Sequence, residues 1–194
     1  MEFKLYGPAL SRAFRVIWAF HELEIPFTHI DLDMKKGESK APDFLLKNPA
    51  GKVPVLEHNG KYLFESAAII SYLSQLRPEK NLLPKEGTIE RGFCEQWMYF
   101  AMTELEQPLW TINRNKFVYG VDKRMPEVFP ACVYEFNKSL KVLENHLLGR
   151  EYLLESFSLA DILCGQTLFW AQQVKEVEFK SEVGEEYISR LKNR

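Results

Sequence analysis

Every run of this chain that alternates like a β-strand lies before residue 65, and everything after residue 87 carries helical spacing. That division points to an α/β unit followed by an all-helical one. Residues 3–6 (FKLY) read as a strand, broken by Gly7-Pro8. Ser11 can cap a helix running to about residue 23, with Phe14, Ile17, Trp18, Phe20 and Leu23 as its apolar face. Residues 27–32 (FTHIDL) alternate as a second strand. A polar loop and a short helix over 42–47 follow, then the turn cluster Asn48-Pro49-Ala50-Gly51. A strand is expected over 53–57 despite Pro54, a hairpin turn at His58-Asn59-Gly60, and the returning strand over 61–64. Glu65-Ser66 opens a helix to about residue 76. This order suits a four-stranded mixed sheet with helices on its faces.

The stretch 77–87 (RPEKNLLPKEG) holds two prolines and several charges and reads as a linker. The expected organisation is therefore 1–76, a linker over 77–87, and a helical domain over 88–194. Its helices are expected over 88–117, 126–148, 158–174 and 182–192, with Pro108 kinking or splitting the first.

Composition narrows the function classes. A net charge of −2 leaves no electrostatic footprint for nucleic acid. No apolar stretch is long enough to cross a bilayer, and the first ten residues lack the pattern of a secretory leader. The three cysteines, Cys94, Cys132 and Cys164, are too sparse for a disulfide framework and suit a reducing, cytoplasmic setting. The four histidines, His21, His29, His58 and His146, are scattered, so no metal site is expected.

Three short features carry possible chemistry. Pro54 within a strand is either an ordinary edge proline or a cis proline that turns the Val53 backbone toward a peptide ligand. Glu65-Ser66 is either a plain helix cap or a recognition site for an α-amino-acid head. In the second case the helix start takes the carboxylate and Glu65 the ammonium. Ser11 is either a cap or a hydroxyl that donates to an anion at the helix entrance. A helix N-terminus and a donor hydroxyl both favour a thiolate over a thiol, whose ordinary pKa is about 8.5. Arg12 and Arg15 add positive charge in the same turns, screened by solvent. No His–Asp partner set makes Ser11 a nucleophile.

The runs NPAGKVPVLE (48–57) and FESAAIISYL (64–73), with their spacing to Ser11, resemble the glutathione-binding core of cytosolic glutathione transferases. FSLADIL (157–163) resembles the capping-box segment of the same family, with Ser158 and Asp161 capping a core helix. The resemblance covers nearly the whole chain and is closest to serine-type members, theta-like or bacterial. It implies a thioredoxin-like N-terminal domain and an all-helical C-terminal domain. It also implies that Pro54 is cis, that Val53 pairs with the cysteinyl part of glutathione, and that Glu65 and Ser66 hold the γ-glutamyl head. Lys52 stands where a residue faces the glycine carboxylate, with Lys40 as the alternative. Ser11 stands where the thiol-activating hydroxyl lies. Other classes use a tyrosine near the end of the first strand, which makes Tyr6 its rival. The run SRLKNR stands where family members continue with a further segment.

The expected reaction is attack by the glutathione thiolate on a small, apolar electrophile lying between the domains, near Pro8, Ala9 and Leu10 on one side and Trp110 and Gln107 on the other. Trp110 is equally a core residue. A homodimer is implied by the resemblance alone. Two other readings use the same sequence: a glutathione-dependent peroxidase or isomerase, and a transferase-like regulator without catalysis.

Overall fold

The computed structural model describes residues 2–194 and divides into two compact units, Met1–Leu83 and Pro84–Arg194. The first unit runs β1 (Phe3–Tyr6), α1 (Ala13–Glu22), β2 (Thr28–Ile30), α2 (Pro42–Leu45), β3 (Val55–His58), β4 (Lys61–Phe64) and α3 (Ser66–Gln75). Its sheet has the order β2-β1-β3-β4, with β1 parallel to β2 and antiparallel to β3, and β3 antiparallel to β4. Alternation along β1 sets the two faces of the sheet. Phe3 and Leu5 are buried, and Phe3 packs against Phe20 of α1 at 5.8 Å. Tyr6 points the other way and meets Phe44 of α2 edge-on at 6.4 Å. Ile69, Ile70 and Leu73 of α3 complete the core.

Three local expectations shift. The strand expected from residue 53 starts at Val55, because Val53-Pro54, whose peptide is cis, precedes the ladder, and proline has no N–H to give it. His58 pairs with Lys61, so the hairpin turn is Asn59-Gly60 alone. Both residues have positive φ, +52° and +72°, as a two-residue turn between twisted strands requires. The buried face of α1 is Ala13, Arg15, Val16, Ala19 and Phe20, whereas Phe14 is exposed and Ile17 and Trp18 are half-buried.

The second unit contains α4 (Ile89–Phe100), α5 (Glu106–Asn113), α6 (Phe129–Leu147), α7 (Leu159–Ala171) and α8 (Glu182–Lys192). The helix expected over 88–117 is broken by a wide π turn at Ala101–Leu105 and ends in another at Arg114–Val118. Pro108 sits in α5, just after the first π turn, where the wider winding relieves the clash of its ring with the carbonyl four residues back. Helix α7 is apolar on all sides and lies at the centre of the unit.

Asp161 holds that centre together. Its Oδ2 accepts from the Ser158 N–H at 2.8 Å and the Ser158 hydroxyl at 2.9 Å, the reach-back half of a capping box. Its Oδ1 accepts from the Leu153 N–H at 2.9 Å and the Tyr187 hydroxyl at 2.7 Å. Asp161 is 0% exposed, and burial pushes its carboxyl up against the pull of these four donors. Replacing Asp161 by Ala strands buried donors from three segments. It should cost about 3 kcal/mol or more, read as a lowered denaturation midpoint, whereas Ser158→Ala should cost only about 1 kcal/mol.

Candidate active site

The site is assembled from three loops of the first unit. Gly7 ends β1 with φ +133°, and a Cβ there would lie 2.8 Å from the Cβ of Val53. Only glycine lets the two backbones pass this closely. Gly7 is held from the other side by its N–H bond to the Ile30 carbonyl at 3.0 Å and by the His29 ring, whose Nε2 lies 2.7 Å from the Gly7 carbonyl.

The chain then turns through Pro8–Arg12. Ser11 lies two residues before the first residue of α1, so the expected N-cap stands one place further out than the cap proper, Arg12. The Ser11 hydroxyl still serves the helix entrance: it donates to the Pro8 carbonyl at 2.6 Å and accepts from the Ala13 N–H at 3.1 Å. Leu10, at the tip of the turn, is 100% exposed.

The second loop is shaped by Asn48, which is buried. Its Nδ2 donates to the Lys52 carbonyl at 2.8 Å, its Oδ1 accepts from the Ala50 N–H at 3.0 Å, and its own carbonyl accepts from Gly51 at 2.8 Å. Lys40 docks on the same loop, its Nζ donating to the Ala50 carbonyl at 3.1 Å. Lys52 is exposed and Val53 half-buried. Among the described residues, none donates to or accepts from the Val53 backbone.

The third element is the start of α3. Glu65 caps the helix with φ +72°, a left-handed conformation that costs a non-glycine residue about 1–3 kcal/mol. Ser66 is therefore the first helical residue rather than the cap. It is buried, and its Oγ accepts from the Arg15 guanidinium at 3.3 Å. Arg15, expected at a solvent-screened position, is 1% exposed.

Two close approaches thus fix predicted residues in place: Gly7 against Val53, and Arg15 against Ser66. The rival activator is engaged elsewhere. The Tyr6 hydroxyl donates to Glu57 Oε2 at 2.6 Å, and burial together with that carboxylate pushes Tyr6 well above the ordinary tyrosine range. The Tyr6 hydrogen bond in turn holds Glu57 below the usual carboxylate range. Trp110 belongs to the second unit, where it is half-buried and the Arg114 guanidinium lies 5.7 Å from the centre of its ring.

Sequence reasoning passed over Gly7, His29 and Asn48 as site-shaping residues. Asn48 and Gly7 were visible as members of turn clusters, but their particular contacts had no sequence signal. Among the described residues, no group of three or more His, Cys, Asp or Glu is placed to hold a metal ion, and no helix is long and apolar enough to cross a membrane.

Comparison with known proteins gives the same frame. Residues 1–75 match the family described as glutathione S-transferase, N-terminal domain. A probable glutathione S-transferase of Oryza sativa subsp. japonica is 34% identical over 171 residues, 82% of this chain and 76% of the relative. Glutathione S-transferase hmp2 of Hypomyces subiculosus is 39% identical over 52% of this chain, which spans half the length of that relative. Elongation factor 1-gamma of Prunus avium is 33% identical over 68% of this chain, which spans 31% of its length. Glutathione transferase F7 of Populus trichocarpa superposes with a TM-score of 0.85 at 26% identity, covering 99% of this chain and 94% of the other. The sheet topology, the helical second unit and these matches together establish that this chain belongs to the glutathione S-transferase family.

Proposed function

We propose that the first unit binds glutathione and that the protein transfers its thiolate to a small, apolar electrophile. The observation that carries this reading is the start of α3. Buried Ser66 stands at the first helical position next to the exposed Glu65, so one hydroxyl, the N–H groups of the first turn and one carboxylate are supplied by neighbouring residues. An α-amino-acid head fits that set, its carboxylate on the helix start and its ammonium on Glu65. The Val53 backbone is available to pair with the cysteinyl peptide group in the manner of an added strand. Lys52, exposed, and Lys40, already bonded to Ala50, are the two cations for the glycine carboxylate.

In this reading Ser11 is a donor and never a nucleophile. Its hydroxyl exchanges the Pro8 carbonyl for the glutathione sulfur, and the bond to a charged acceptor stabilises the thiolate. The thiolate then forms the new C–S bond, and the electrophile either loses its leaving group or takes up a proton. Tyr6 is not the activator, because its hydroxyl proton is held by Glu57. The fully exposed Leu10 supplies an apolar contact for the electrophile. The serine-type assignment rests on Ser11. The transferase relatives compared above are fungal and plant proteins, which lends the theta-like or bacterial part of it no support. A cytoplasmic homodimer acting in detoxification completes the proposal.

A peroxidase or isomerase would use the same thiolate. A non-catalytic role has one observation in its favour, the likeness to elongation factor 1-gamma.

Calorimetry with glutathione and ultraviolet difference spectra for its thiolate test the reading. Wild-type protein should bind and show thiolate near neutral pH, and binding without thiolate would favour the non-catalytic role. Ser11→Ala should lower turnover about tenfold to a hundredfold, the worth of a hydrogen bond to a charged group, while changing glutathione affinity much less. Tyr6→Phe should leave turnover within about twofold. A loss in Tyr6→Phe equal to that of Ser11→Ala would reverse the assignment of the activator. Glu65→Ala and Ser66→Ala should each weaken glutathione binding by about tenfold, and unchanged affinity in both would remove the recognition site.

A further inference from the structure

Arg15 is the third residue of α1 and among the largest fully buried side chains of the described residues. Burying a guanidinium is costly, and the N-terminal turn of a helix is where a cation is least favoured by the dipole. That cost is borne one helical turn from Ser11 and in contact with Ser66, the residue on which the amino-acid head is proposed to rest. The direction of the bond matters. A guanidinium has donors and no acceptor, so Ser66 Oγ must accept from Arg15. The single hydroxyl proton of Ser66 is then left to point elsewhere, and a hydroxyl that accepts from a cation is a stronger donor.

We infer that Arg15 is a positioning residue for the ligand's α-carboxylate: through its bond to Ser66 it fixes that hydroxyl as a donor, without touching the ligand itself. The inference rests on the glutathione reading and names the part of glutathione concerned. It predicts that the site distinguishes a free α-carboxylate from its absence, and that this selectivity is lost with Arg15. It also links the two helix starts of the site, since α1, entered through the turn that carries Ser11, carries Arg15 while α3 carries Ser66.

The test compares glutathione with γ-aminobutyryl-cysteinylglycine, which lacks only the α-carboxylate. Calorimetry would be run on the wild-type chain, Arg15→Met, Ser66→Ala and the double variant, each checked for an intact fold by circular dichroism. Arg15→Met should weaken glutathione about tenfold and leave the affinity for the analogue within about twofold. In the Ser66→Ala background the same change should cost little further, because its route to the ligand is gone. Arg15→Lys keeps the charge and a donor and should recover most of the glutathione affinity. If Arg15→Met does not fold, Arg15→Gln, which loses the charge, decides: a loss confined to glutathione supports the role, and an equal shift for both ligands, or no shift for either, overturns it. Equal weakening of both ligands by Arg15→Met, or an undiminished effect in Ser66→Ala, would also overturn it and make Arg15 a packing residue. Absence of glutathione binding by the wild-type chain would instead overturn the site reading, and this inference with it.

Discussion

The close approach of Gly7 to Val53 is the constraint on which the rest of the site depends. A side chain at Gly7 would drive the end of β1 away from the segment leading into β3, and β1 is the strand that both neighbours pair with. Because Gly7 ends β1, the turn carrying Ser11 begins beside Val53. The loop on the other side is kept from moving by Asn48, whose three bonds fix the peptide groups from Ala50 to Lys52. The backbone that would face a peptide ligand is thus rigid on both sides, which lowers the entropy lost when a ligand is bound.

The site is electrostatically one-sided by construction. Two helices begin there, α1 and α3, and each presents its positive end. Arg15 lies buried between them, bonded to Ser66 at the second. Glu65 stands exposed at the start of α3, and Glu57 is engaged on the opposite face of the sheet by Tyr6 and Lys4. Such a field favours an anion, whether carboxylate or thiolate. The strain at Glu65 belongs to the same arrangement, since its left-handed backbone lets the chain leave β4 and enter α3 within one residue.

Much of this was legible in residue order. Alternation gave strands, the His58-Asn59-Gly60 cluster marked the hairpin with one residue too many in its turn, and the resemblance of FSLADIL to the family's capping-box segment marked the start of α7. What could not be read were features that run against local rules. Helical periodicity assigns an arginine to the solvent face, so the burial of Arg15 has no sequence signature. The expected apolar face of α1 was rotated as a result, with Phe14 turned outward. Pro54 was placed inside a strand over 53–57, yet the ladder begins only where an N–H becomes available. The π turn before Pro108 was likewise out of reach, since a proline signals a disturbance and not the way the chain absorbs it.

The hub at Asp161 has a consequence for how the second unit acquires its stability. One carboxylate gathers donors from residue 153, from the entrance of α7 and from α8, segments that are distant along the chain. None of them can be satisfied piecemeal: until α8 docks, Tyr187 is absent and the buried charge lacks one of its donors. Helix α8 therefore behaves as a keystone and not as a trailing appendage. The unit should gain its rigidity in a single concerted step that the docking of α8 completes.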